Sequence, residues 1–191
     1  MNKRLLLINL PGESIRKPEE HCGLAFLKAY IDENGLDADV LDAYALRINL
    51  DETIARIDNW IKEYKTCELF VGISPFVTSH ESFVLIGEHI KKKNSKCLVF
   101  AGGHYASLNR EVLMESNKWL DAIIVGEGEL TLLEFMRRGL CSDIPGLYVG
   151  QDSKFFVFRE RIKNLDILPY QARYLTKENL NGQQMAITTS R

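Results

Sequence analysis

Four short loops, each following an apolar run, carry the glycines and polar side chains of this chain that could grip a large ligand. They read Asn9-Leu10-Pro11-Gly12-Glu13-Ser14, Ser74-Pro75-Phe76, Gly102-Gly103-His104-Tyr105 and Gly126-Glu127-Gly128-Glu129. Glycine has no Cβ, so paired glycines let the backbone come close to a bulky molecule. Ser74 offers a hydroxyl, Asn9 an amide, and His104 and Tyr105 polar rings. Each element alone also has an ordinary reading. A Gly-Gly is often only a tight turn, Glu127 and Glu129 suit the start of a helix, and Ser74 and His104 fit as helix-entry and loop residues. In combination the loops describe a place to hold something. No GxGxxG follows the first strand and no GxxxxGK[ST] occurs, which disfavours the usual dinucleotide and P-loop modes. No Ser-His-Asp set or carboxylate pair can be argued, so no catalytic residue is assigned.

Cys22, Cys67, Cys97 and Cys141 stand far apart, with no CxxC pair and no closely spaced histidine. That argues against zinc or an iron–sulfur cluster within this chain and names no metal ligand. Cys67 and Cys97, at the mouths of strand patterns, read as small core residues. With 191 residues, 46% hydrophobic and 26% charged, the composition is that of a soluble globular protein. The net charge of −2 gives no electrostatic case for nucleic acid or an anionic membrane. Lys91-Lys92-Lys93 reads as the solvated end of a helix. The apolar runs are well short of the ~20 residues a spanning helix needs. Asn9 and Pro11 cut short the run Leu5 to Ile8 before it could serve as a signal peptide, so the expected compartment is the cytoplasm.

The loops must be positioned by the elements between them, and strand and helix signals alternate almost without interruption. Strands are expected at Arg4 to Asn9, Ala38 to Asp42, Leu69 to Ile73, Cys97 to Ala101 and Ala122 to Val125, most of them apolar enough to be buried on both faces. Pro18 opens a helical pattern through Leu24, Leu27 and Ile31 that Asn34-Gly35 closes. Asp51 is the expected N-cap of a helix carrying Ile54, Ile57 and Ile61. Thr78 or Ser79 is expected to cap the helix with Phe83, Ile86 and Ile90. A short helix follows around Arg110 to Glu115, and another runs through Leu132 and Phe135. This order predicts an α/β fold with a doubly wound, five-stranded parallel sheet and right-handed crossovers. In such sheets ligands bind outside the carboxyl ends of the strands, where the four loops lie. Residues 1–140 form this domain. Residues 141–163 hold a hairpin, Gly146 to Val149 and Phe155 to Phe158. Residues 164–191 read as an extended connector with Leu168-Pro169, ending in a lone strand pattern at Ile187 to Ser190. A lone strand is a poor end to a core, so the expectation is a module cut from a larger enzyme.

Taken in order, these stretches resemble the N-terminal cobalamin-binding domain of B12-dependent radical SAM enzymes. The resemblance rests on Gly23-Leu24-Ala25-Phe26-Leu27-Lys28-Ala29-Tyr30 with Asn34-Gly35, Val71-Gly72-Ile73-Ser74, Ala101 to Ser107, Asp121 to Glu129 and the connector Asn164 to Tyr170. It implies a Rossmann- or flavodoxin-like B12 fold, with cobalamin as the cofactor. Ser74 and Phe76 match the Ser-x-Leu element, with Phe in place of Leu, and Ser74 would meet the nucleotide tail. Gly102 and Gly103 match the Gly-Gly that admits that tail between sheet and helices. His104, Tyr105 and Gly126 to Glu129 would lie near the corrin. Histidine-ligating cobalamin modules carry Asp-x-His-x-x-Gly after the first strand. The corresponding loop here has no histidine, which implies base-off, His-off binding. In that family Thr-Ser-Arg is commonly followed by Gly-Cys and CxxxCxxC, and this chain stops at Ser190-Arg191. The 4Fe-4S cluster, S-adenosylmethionine and catalysis would belong to the radical SAM domain, as a methyltransferase or an oxidative cyclase. The chain alone would bind cofactor without catalysing.

One reading from another class stays open, a flavodoxin-like binding or signalling module without catalysis. A phospho-receiver is disfavoured because Asn9 and Ser74 stand where acidic residues would be needed. A flavin carrier is disfavoured because Glu13 would repel phosphate.

Overall fold

A computed structural model describes residues 2–12, 20–150 and 156–175. Among them the chain forms β1 (Lys3–Asn9), α1 (Cys22–Glu33), β2 (Asp37–Asp42), α2 (Leu50–Glu63), β3 (Glu68–Ser74) and α3 (His80–Lys93). It continues through β4 (Leu98–Ala101), α4 (His104–Leu108), α5 (Arg110–Ser116), β5 (Ala122–Ile124), α6 (Glu129–Arg138) and β6 (Leu147–Tyr148). The sheet order is β2-β1-β3-β4-β5-β6. The first five strands are parallel, as the alternating pattern predicts, and β6 runs antiparallel to β5. The chain steps outward from β1 to β2, then crosses back to β3 and proceeds the other way. The order therefore reverses between β1 and β3, the kind of crevice where such sheets bind ligands.

Side chains alternate across each strand with period two, and both faces are covered. Leu5, Leu7, Phe70, Phe100 and Ile124 pack under α1 and α6. Leu6, Ile8, Val71, Ile73 and Val99 pack under α2, α3 and α5. Cys97 is fully buried in the second of these layers, and burial pushes its thiol up to about 12, as a core residue requires. No helix of the described residues is long and apolar enough to cross a membrane.

Several local expectations change. Pro18 lies outside the described residues. Helix α1 opens at Cys22, and its N-cap is His21, whose Nδ1 accepts from the Leu24 amide at 3.3 Å. Helix α2 is capped by Asn49, Oδ1 accepting from Glu52 N at 2.9 Å. Asp51 sits instead in the first turn, where its charge suits the helix dipole. Ser79 takes the N-cap position of α3, but its hydroxyl turns back to accept from Phe76 N at 3.0 Å. Helix α4, directly after Gly103, has no counterpart in the sequence reading.

The expected hairpin is also recast. Its first arm joins the main sheet as β6, because three-residue β5 would otherwise leave an edge of unpaired backbone groups. The second arm is not a strand at 156–158. It is an extended segment whose Val157 carbonyl accepts from Gly146 N at 2.8 Å. The turn at 151–155 and the strand pattern Ile187 to Ser190 lie outside the described residues.

Gly72 of β3 pairs with Phe100 of β4, and the ring crosses over it. A Cβ at residue 72 would stand 2.4 Å from Phe100 Cζ and 3.0 Å from Leu7 Cδ2. Gly72→Ala should therefore destabilise the domain by about 1–3 kcal/mol through overpacking. A lower urea midpoint with unchanged m-value would show this, and an unchanged midpoint would mean the ring repacks freely.

Candidate cofactor site

Neighbouring parallel strands bring their carboxyl ends together, so residues distant in sequence meet at one edge. The register sets Asn9 at the end of β1 between Asp42 of β2 and Ser74 of β3. The Asn9 amide is spent there, Nδ2 donating to Asp42 Oδ1 at 2.7 Å. Leu10 is in the core and Pro11 is buried. Of the first-loop candidates only Gly12 is exposed, beside the Tyr44 ring.

The ends of β3, β4 and β5 are different. The Ser74 hydroxyl lies 3.5 Å from His21 Nε2 and 3.3 Å from where a Cβ of Gly103 would stand. Gly103 has φ 90°, a conformation that favours glycine, and leads into α4. A Cβ on Gly102 would meet only the Ile124 carbonyl, at 4.0 Å, and one on Gly126 would meet nothing within 4 Å. Three glycines thus leave an open floor beside Ser74. Phe76 is 51% exposed at its rim, its ring centroid 6.3 Å from that of His21. His104 is exposed, while Tyr105 leans on the His80 ring at 6.4 Å. Ser107 Oγ accepts from Gly126 N at 3.3 Å and ties α4 to the loop after β5.

The Gly126 to Glu129 loop divides its work. Gly126 opens the floor, and Gly128 lets α6 approach Leu27 of α1, whose Cδ2 would stand 3.0 Å from an added Cβ. Glu129 is buried in the first turn of α6. Glu127 accepts from Ile162 N at 2.7 Å, so its carboxylate faces the connector. The structure brings Ser74, Gly102, Gly103 and Gly126 together with Phe76 close by. It turns Asn9, Leu10 and Glu127 to other partners.

Sequence reasoning passed over a set of residues beside this floor. Asp42 is fully buried and its two oxygens take four donors: Asn9 Nδ2, Ala45 N at 3.0 Å, His21 N at 3.2 Å and the Tyr174 hydroxyl at 2.7 Å. Glu20, 4% exposed, pairs with Arg173 at 2.9 Å and accepts from Tyr174 N and Leu175 N at 3.2 and 3.0 Å. Burial holds the His21 imidazole below its ordinary pKa, with the Asp42 charge opposing. Burial and the same carboxylate push the Tyr174 hydroxyl up, so it remains a donor. An aspartate closing a strand pattern was the one signal in the sequence. Its partners come from 33, 21 and 132 residues away, beyond any local pattern.

The connector brings Tyr174 to this place. Arg159 donates to Thr131 Oγ1 at 2.8 Å and Pro145 O at 3.0 Å beside α6. Ile162 is held by Glu127, and Ala172 N donates to Ala25 O of α1 at 3.1 Å. The segment therefore runs from the β6 edge, past the start of α6 and α1, to the end of β2.

The model of the B12 binding domain family matches residues 11–136. Among solved structures, the cobalamin-dependent S-adenosylmethionine radical enzyme OxsB, with aqua-cobalamin and S-adenosylmethionine bound, matches with a TM-score of 0.74 at 17% identity, over 95% of this chain and 25% of that one. The radical S-adenosylmethionine methyltransferase TsrM from Kitasatospora setae, with cobalamin and a 4Fe-4S cluster bound, matches with a TM-score of 0.57 at 21% identity, over 77% of this chain and 27% of that one. This chain spans about a quarter of the length of either, and at such identities the likeness is one of fold. No curated protein matches it.

His21 gives the site a pH signature that needs no ligand. A histidine titrates near 6.5 when unfolded, and burial lowers that value in the fold. As pH falls through 6.5 the unfolded chain takes the proton first, so stability present above that pH declines toward the folded value. The urea midpoint should fall between pH 7 and 5, and fall less in His21→Asn, whose amide can still cap α1. Identical slopes in both proteins would remove His21 as the cause.

Proposed function

The chain belongs to the B12 binding domain family, and from that premise we propose that it is the cobalamin-holding module of a radical S-adenosylmethionine enzyme. The observation that carries the assignment of the site is the open floor of Gly102, Gly103 and Gly126 beside Ser74. A nucleotide tail needs such a gap, since side chains on those glycines would fill it. In this reading the Ser74 hydroxyl hydrogen-bonds the tail, and the two glycines after β4 let it pass. Phe76, His104 and Tyr105 stand near the corrin, and the first-loop residues Asn9 to Gly12 support that side from below.

When bound, cobalamin supplies a cobalt centre able to carry a methyl group or an electron, while the protein supplies pocket and orientation. A base-off, His-off state is supported by what His21, the imidazole beside Ser74, does. Residues 10–14, directly after β1, hold no histidine. His21 has Nδ1 engaged by Leu24 N and Nε2 beside Ser74, so neither nitrogen is free for cobalt. The 4Fe-4S cluster and S-adenosylmethionine are assigned to a separate radical SAM domain of the full-length protein, reached through the connector. Methyl transfer is the proposed reaction class, in keeping with TsrM, and oxidative cyclisation is the other outcome of the same architecture. A reducing cytoplasm suits the four free cysteines.

Titration of the chain with hydroxocobalamin, followed by absorbance and calorimetry with FMN as control, tests the reading. Saturable binding with a spectrum lacking nitrogenous lower ligation is expected, and binding of FMN alone would sink it. Gly102 lies outside the positive-φ region, so Gly102→Val should fold normally while raising the cobalamin Kd by about tenfold or more, or at least 1.4 kcal/mol. A folded variant with unchanged Kd removes this floor from the site.

A further inference from the structure

Ser74 and the connector touch the same short run of residues from opposite sides. On the site side, His21 Nδ1 accepts from Leu24 N. A neutral imidazole then carries its proton on Nε2, which lies 3.5 Å from Ser74 Oγ. The separation is at the outer limit of a hydrogen bond, as is common where a ligand has yet to tighten a site. On the connector side, the Tyr174 hydroxyl accepts from His21 N at 2.5 Å and donates to Asp42 Oδ2 at 2.7 Å. Asp42 also accepts from His21 N and binds Asn9, the residue next to Ser74 in register. Glu20, directly before His21, fastens Arg173 and the backbone of Tyr174 and Leu175. The ring that faces Ser74 is thus fixed through its own main chain by residues 173–175 of the connector.

We infer that His21 is a positioning residue for the Ser74 hydroxyl, and that Tyr174 holds it in place, so that cobalamin and the docked connector strengthen each other's binding. The inference rests on the cobalamin reading above and adds a direction to it. The connector is part of the binding apparatus, and occupancy of the cofactor site is reported along it. Neutrality of His21 agrees with this, because burial lowers its pKa and a protonated Nδ1 could no longer accept from Leu24 N. Linkage makes the effect reciprocal: whatever factor the docked connector contributes to cobalamin affinity, cobalamin returns to docking.

Two variants and two readouts test it in the 191-residue chain. Tyr174→Phe removes one of the four donors to Asp42 and leaves the ring. His21→Asn retains a good N-cap but is too short to reach Ser74, which separates helix capping from positioning. Both should keep the thermal midpoint within a few degrees and raise the hydroxocobalamin Kd about five- to tenfold, the size typical of coupled sites. Tryptic cleavage after Arg173, measured relative to the exposed Lys118, should slow at least threefold when hydroxocobalamin saturates the wild-type chain, and this protection should be lost in Tyr174→Phe. A Kd within twofold of wild type in either variant, or cleavage after Arg173 that ignores the ligand, overturns the inference while leaving cobalamin binding intact. A wild-type chain that binds no cobalamin overturns the cobalamin reading and this inference together.

Discussion

A carboxylate with no exposure to water must find its hydrogen bonds inside the protein, and Asp42 organises one edge of this domain by finding four. An unpaired buried charge is among the costliest things a fold can contain. Its donors come from β1, the turn after β2, the cap of α1 and the connector, so each of these is placed by the same need. With one donor removed, three still hold the carboxylate, so the loss is felt as looser positioning of the remaining partners. Glu20 repeats the arrangement one step away with Arg173 and two amides. Two acidic groups thus bind residues 173–175 of the connector to the beginning of α1.

Beyond that edge the sheet explains the rest of the site. Because β1 pairs with both β2 and β3, the chain leaves β1 toward one face and returns to β3 from the other. The loops after β3, β4 and β5 then rise on the same side of the reversal. Ser74 ends β3 on the face occupied by α1 and α6, which is why the capping histidine of α1 reaches it. Small residues at Gly102, Gly103 and Gly126 keep that corner open, while Leu5, Leu7, Phe70 and Phe100 fill the layer beneath it.

Much of this could be read from the residues. The parallel strands were legible because a strand covered on both faces is apolar almost throughout, as in Leu69-Phe70-Val71 and Leu98-Val99-Phe100. The Gly-Gly after β4 and the Ser74 hydroxyl were legible because backbone close to a ligand needs glycine, and strand ends are where ligands go. Other features had no local sign. Helix α4 is five residues long and has no side-chain cap, so it is too short for a repeating apolar pattern to announce it. Asn49 and Asp51 are both good caps by type, and only the tertiary position of the chain decides between them. Glu127 looked like a ligand-facing or dipole-matching residue, and its partner, the amide of Ile162, is a backbone group with no side-chain signature. His21 was passed over because capping by histidine is uncommon and its neighbours Ser74, Asp42 and Tyr174 meet only in three dimensions.

The outer strands carry one more consequence. An edge strand offers a row of free amides and carbonyls to any other chain that is extended, and self-association often begins there. On one side the sheet closes with the two-residue β6, too short to template a partner. On the other, β2 reads Asp37-Ala38-Asp39-Val40-Leu41-Asp42, where Arg4 pairs with Asp37 at 3.4 Å and Asp39 accepts from Trp60 Nε1 at 2.8 Å. A second copy laid against β2 in an antiparallel sense would bring acidic rows into mutual repulsion. Both margins of the sheet are thus guarded against fibre-like stacking.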